Sequence, residues 1–250
     1  MSAITPQWTA PSVPPDTDYT KDLDRGLELY FRQLVDILKT IFFNIVIPKA
    51  SGNGIKVDTE NPTFPWMDML GPVRPKTTGA GSPTLAVFRG GNVRMYAYAI
   101  GDDGDGEFHI PHDWVPGTDL FLHIHWGHNG TSISGSLTVD FSISYAKGHN
   151  QANFTAEIVP SISFNSVNIA TTPQYRHRID EIQLSATAPT ATQLDTATIE
   201  TDGLILFHYD VSAIPTIGGG SPNKPFILFI DLHYQSTGIG TKQKSPDFWT

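Results

Sequence analysis

The sequence predicts an all-β protein: an antiparallel β-sandwich of jelly-roll type, preceded by an N-terminal extended arm and one amphipathic α-helix. Three observations predict it. Gly and Pro number 22 and 19 of 250 residues while charged residues make up only 16%, a turn-rich and weakly charged composition. Eight strand-length segments follow residue 92, separated by turn clusters, with no helical period between them. The only helical period lies before residue 50.

Taken in order, residues 1–17 hold Pro6, Pro11, Pro14 and Pro15 and few large apolar side chains. Proline fixes φ and lacks an amide donor, so this stretch is an extended arm. Leu23, Leu27, Tyr30, Leu34, Ile37 and Ile41 then recur at alternating spacings of 4 and 3, the a/d spacing of a coiled-coil seam, which predicts a helix over about 20–43. Thr20 is placed as its N-cap, Asp22 and Asp24 favour the positive end of its dipole, and Pro48 blocks continuation. A second row, Phe31, Val35, Leu38 and Phe42, widens the apolar face, so the helix needs cover on two sides. It either packs on its own β-domain or associates with copies of itself, and trimers suit a broad face with bulky residues.

Residues 51–92, with Pro62, Pro65, Pro72, Pro75 and Pro83, read as an irregular Gly/Pro-rich linker, giving domains of 1–50, 51–92 and 93–250. Strands are expected at 93–100, 106–112, 119–126, 136–145, 154–164, 175–184, 203–211 and 225–235. The clearest alternates Leu137, Val139, Phe141, Ile143 and Tyr145 with polar residues, one dry face and one wet. Pro160 places the 154–164 strand at an edge or bulge. The tail, with Lys242, Lys244, Phe248 and Trp249, either packs on the sheet or serves as a docking strip.

With 16 basic and 25 acidic residues the formal charge is −9, which repels nucleic-acid phosphates and anionic lipid, so neither nucleic acid nor membrane is expected as a partner. Without cysteine there are no disulfides, thiolate zinc sites or cysteine nucleophiles. The first residues lack the basic start and apolar run of a signal peptide, so the expectation is a soluble chain made in the cytosol.

The densest polar chemistry is His109, His112 and Asp113, followed by His123, His125 and His128. His123 and His125 stand two apart on a strand and so share a face, which lets a transition metal join them. Three readings stay open: hydrogen-bonded packing residues; an intrachain metal site with a third ligand from His109, His112 or Asp113; and a structural cage of six imidazoles on a trimer axis. Asp102, Asp103, Asp105 and Glu107 do not keep calcium-loop spacing and read as an acidic hairpin turn. No nucleophile elbow, H-E-x-x-H, P-loop or dinucleotide fingerprint occurs, and no catalytic residue is assigned.

The runs His109 to Trp126 (HIPHDWVPGTDLFLHIHW), Ser144 to Gln151 (SYAKGHNQ) and His233 to Phe248 (HYQSTGIGTKQKSPDF) resemble a family of tailed-bacteriophage and prophage proteins, over about residues 55–250. The resemblance implies a virion structural protein, attached to the outside of the capsid or to the tail. The expectation is therefore a non-enzymatic capsid decoration or head-fibre subunit, a homotrimer assembled through Leu23, Leu27, Tyr30, Leu34, Ile37 and Ile41, with the major capsid protein or tail and portal-proximal proteins as partners. The alternatives are a tail fibre or receptor-binding subunit of the same fold contacting host surface glycan, and a jelly-roll enzyme, metal-dependent or glycan-cleaving, that uses the histidine cluster.

Overall fold

Period-two alternation gives each strand one apolar face, and two such sheets bury those faces against each other. The computed structural model describes residues 64–164, 173–238 and 240–248, together with 27–28, 30–32, 34, 45–46 and 56–57. The chain divides into two units, 1–65 and 66–250.

In the first unit Leu27, Glu28, Tyr30, Phe31, Arg32 and Leu34 are α-helical. Glu28 and Arg32, one turn apart, form an ion pair of 2.6 Å. Strands β1 (Ile45–Val46) and β2 (Lys56–Val57) pair antiparallel. The arm at 1–17 and the seam positions Leu23, Ile37 and Ile41 lie outside the described residues.

The second unit contains β3 (Trp66–Leu70), β4 (Val73–Pro75), β5 (Thr84–Arg89), β6 (Val93–Ala97), β7 (Asp103–His109), β8 (Phe121–Gly127), β9 (Ser132–Ser134) and β10 (Leu137–Ala146). It continues with β11 (Ser161–Phe164), β12 (Arg178–Gln183), β13 (Ser185–Ala186), β14 (Leu194–Asp195), β15 (Leu204–Ala213), β16 (Thr216–Gly218) and β17 (Phe226–Gln235). One sheet has the order β11-β10-β15-β7-β4, the other β12-β8-β17-β6-β5, with β3 also paired to β17. Eight of these strands are the ones the alternation predicts. Within them every step along the chain changes sheet except β10 to β11, and the orders β6-β17-β8-β12 and β7-β15-β10-β11 are those of a jelly roll.

The inward residues Leu122, Ile124 and Trp126 of β8, Val139, Phe141 and Ile143 of β10, Ile205, Phe207 and Tyr209 of β15, and Ile230 and Leu232 of β17 form one continuous core. The hydroxyls of Tyr98 and Tyr209, both fully buried, meet at 2.8 Å and join the two sheets through a hydrogen bond.

Three expectations change. The stretch read as an irregular linker holds β2 and then β3, β4 and β5, so the sandwich unit starts at Trp66. Its prolines are compatible with strands because Pro75 ends an edge strand that pairs only with β7, and Pro65, Pro72 and Pro83 fall outside strands. The acidic run is a strand: only Asp102 precedes it, accepting a hydrogen bond from the Ala99 amide at 2.6 Å, while Asp103, Asp105 and Glu107 lie on β7. Gly104 and Gly106 take the inward positions because Tyr209 and Phe207 lie over them. Finally, the 154–164 strand is reduced to β11 at the sheet edge, with one bridge at Ile158; Phe154 is exposed.

Candidate functional site

Strand β8 is buried on both faces. Leu122, Ile124 and Trp126 point into the core, so His123 and His125 project from the outer face, only 8% and 6% exposed. Register brings further polar groups to that face. Asp231 of β17 lies opposite His123, and His233 of β17 lies between Phe121 of β8 and Asp68 of β3. Glu181 of β12 faces His123 from the other side.

His123 donates from Nε2 to Glu181 Oε2 at 2.8 Å. In its neutral form the imidazole then has a lone pair at Nδ1, which faces Asp231 Oδ1 at 3.4 Å and Asp68 Oδ1 at 3.8 Å. His125 shares a hydrogen bond of 2.7 Å between its Nδ1 and His177 Nε2, and its Nε2 approaches Asp231 Oδ2 at 3.1 Å. Despite these approaches, His125 Nε2 and Asp231 Oδ1 are buried without a hydrogen-bond partner. Phe229 stacks on the His125 ring at 3.9 Å, and His233 lies 4.4 Å from the His123 ring.

The electrostatics follow from burial. Desolvation, with the adjacent His177 and His123 rings, pushes the His125 imidazole down to about 4, so it is neutral at neutral pH. Desolvation also pushes the Asp231 carboxyl up to about 6, opposed by the charge of His123 and reinforced by Asp68. At neutral pH the face therefore holds a buried carboxylate between imidazole nitrogens. His123, His125 and Asp231 offer ligand atoms within 4.8 Å of one another, as do Asp68, His123 and His233.

The third ligand expected from His109, His112 or Asp113 does not come from them. Asp113 accepts from Ser236 Oγ at 2.6 Å and from the Tyr234 hydroxyl at 3.2 Å. His109 and His112 join a second cluster around Asp202, at 3.3 and 2.9 Å, which His149 completes at 2.8 Å. Phe248 closes over it, its ring 5.7 Å from His112 and 5.8 Å from His149, so this part of the tail packs on the domain. His109, His112 and His149 thus converge on one carboxylate, and Phe248 packs on two of their rings. Burial alone would raise the Asp202 carboxyl, but the His149 hydrogen bond and the charges of His112, His109 and His149 hold it below the ordinary value. The cluster ties together segments distant in sequence.

Within one chain both imidazoles are buried and meet Asp231. Sequence reasoning did not single out Asp231, His233, Asp68, Glu181 or His177. Asp231-x-His233 repeats the same-face spacing of His123-x-His125 and was visible; Asp68 was hidden in the supposed linker.

On the outer face of the other sheet lies a groove of about 460 Å³. Its Arg74 binds Glu107 at 3.0 Å and its His208 binds Asp105 at 3.0 Å, so these four groups already have partners. Among the described residues no helix is long and apolar enough to cross a membrane.

No protein-family model matches the chain, and no curated protein matches it. Among solved structures it is similar to TmCBM61 in complex with β-1,4-galactotriose, with 12% identity over 67% of this chain and 87% of that one and a TM-score of 0.23. It is also similar to a family 11 carbohydrate-binding module from Clostridium thermocellum in complex with a β-1,3-1,4-mixed-linked tetrasaccharide, with 13% identity over 72% and 91% and a TM-score of 0.22. At such scores neither likeness bears on a ligand or activity, and the jelly-roll assignment rests on the strand order.

Proposed function

We propose that the chain is a non-enzymatic structural component of a tailed-phage virion, a capsid decoration or head-fibre subunit that assembles as a homotrimer through its front helix. The carrying observation is that Leu27, Tyr30, Phe31 and Leu34 are exposed by 53%, 64%, 50% and 36% on a helix whose apolar spacing is that of a coiled-coil seam. Burying each such side chain between chains gains about 1.5–3 kcal/mol, so three copies have a strong drive to associate. A rigid sandwich behind an assembly segment suits an appendage that gains avidity from many weak attachments. The resemblance of the three sequence runs gives the virion context.

Light scattering on the full chain after size exclusion tests the assembly. Three times the chain mass is expected, falling to one chain mass in the double variant Leu27→Asp, Leu34→Asp. An unmodified chain that stays monomeric at high concentration contradicts the proposal.

A second reading, a tail-attached receptor-binding subunit, is favoured by one feature. Trp66 is 47% exposed on the outer sheet face, held edge-on by Phe121 at 5.6 Å and beside His233 at 4.8 Å. An exposed, braced indole is a surface for stacking a glycan ring. Glycan-array binding that is lost in Trp66→Ala supports it, and absence of binding removes it.

A further inference from the structure

The outer face of β8 and β17 gathers buried polar atoms that lack partners. Glu181 can only accept, so His123 donates to it from Nε2 and turns its Nδ1 toward two carboxylates, Asp231 at 3.4 Å and Asp68 at 3.8 Å. His125 Nε2 and Asp231 Oδ1 are buried and lack any hydrogen-bond partner, in side chains only 7% and 2% exposed. Buried polar atoms without partners are rare and costly, and here they converge. Neighbouring ligands on one tetrahedral ion with bonds of about 2.0 Å stand about 3.3 Å apart. The Asp231 oxygens lie 3.4 Å from His123 Nδ1 and 3.1 Å from His125 Nε2.

We infer that His123 Nδ1, His125 Nε2 and the Asp231 carboxylate form a binding site for one divalent first-row transition-metal ion per chain. Two imidazoles and one carboxylate are a donor set for zinc, iron(II) or cobalt(II), whereas calcium and magnesium take oxygen. Glu181 and His177 hold the far nitrogens of the two ligand rings, which fixes their orientation and raises their basicity. Asp68, more exposed and 3.8 Å from His123 Nδ1, stands on the open side as a further carboxylate. Phe229 stacks on the His125 ring at 3.9 Å and covers one face of that ligand. The ion is a staple: it cancels the charge of a carboxylate only 2% exposed and links β8 to β17, independently of whether the helix assembles chains.

The test uses full-length protein made without a histidine tag, stripped with chelator and titrated with Co²⁺ and then Zn²⁺. The expected result is one Co²⁺ per chain with the visible absorption of a four- or five-coordinate ion, displaced by Zn²⁺, and one Zn²⁺ retained through dialysis. Asp231→Asn weakens Zn²⁺ binding at least 100-fold and Glu181→Gln about 10- to 100-fold, while His208→Gln, on the other sheet, leaves it unchanged. The cobalt spectrum of the unmodified chain needs no variant to fold. Absence of stoichiometric binding, one ion per three chains, or equal affinity in Asp231→Asn overturns the assignment.

Discussion

Replacing Gly104 by alanine puts the inward packing of β7 to a severe test. A Cβ there lies 2.6 Å from the Tyr209 hydroxyl, 2.7 Å from the backbone oxygen of Arg74 and 2.8 Å from Tyr209 Cε1, whereas ordinary contact begins at 3.4 Å. The Tyr209 ring or the β4 backbone must give way by about 0.6 to 0.8 Å, from the difference of those distances. The ring cannot move without breaking its 2.8 Å hydrogen bond to Tyr98. Overpacking of this kind costs about 1–3 kcal/mol, and the lost hydrogen bond about 1 kcal/mol more. For a unit of this size the sum of about 2–4 kcal/mol lowers Tm by roughly 4–16 °C. Gly91, where an added methyl meets nothing within 4 Å and φ is not positive, is the control: Gly91→Ala is neutral or stabilises by up to about 1 kcal/mol. Denaturant melts of both variants, and of Gly104→Ala combined with Tyr209→Phe, provide the measurement. The double variant is expected to lose less than the sum of the singles, because removing the hydroxyl removes the nearest clash. A Gly104→Ala protein as stable as Gly91→Ala refutes the packing argument.

Other consequences follow from the same geometry. Asp202→Asn removes a carboxylate whose folded value is lowered, so the native chain gains its stability above the ordinary value of about 3.9 and loses it as pH falls through the lower folded value. The variant is expected to melt lower at neutral pH, with the difference fading as pH falls through the lowered folded value; a difference independent of pH in thermal melts contradicts the clamp. Tyr98→Phe strands the buried Tyr209 hydroxyl and costs about 1–3 kcal/mol, while adding Tyr209→Phe costs little more, as a double-mutant cycle by urea unfolding will read. Ile124→Ala, in the fully buried layer of β8, costs about 2–5 kcal/mol by the same assay, whereas Leu206→Ala on the outer face of β15 changes stability by about 0.5 kcal/mol or less.

How far the fold was legible depended on where the information sat. Leu137 to Tyr145 alternates strictly because β10 is central to its sheet with one face dry, and that local pattern was readable. Strands β3, β4 and β5 were not, since they are marginal to the sheets and bounded by prolines, which punctuate local patterns without forbidding edge pairing. The first part of β7 read as a turn because its inward residues are glycines filled from β15, a tertiary arrangement no local window contains. The same division holds for the site. His123 and His125 on one face followed from strand geometry, but Asp231 joined them only through the β8–β17 register, and Asp68 only through β3, both long-range pairings. His109 and His112, adjacent in sequence to that pair, were drawn instead to Asp202, whose cluster His149 and Phe248 complete from distant segments. The helical spacing was the most local signal, and Leu27, Tyr30 and Leu34 are helical as expected.

The central proposal is that this chain is part of a virion. Virions purified from a culture that produces the protein, analysed by quantitative mass spectrometry and immunogold labelling, test that most directly. The account predicts the protein in fixed stoichiometry on intact particles, with label on the capsid exterior. Particles free of the protein, with all of it recovered in the soluble lysate, contradict it.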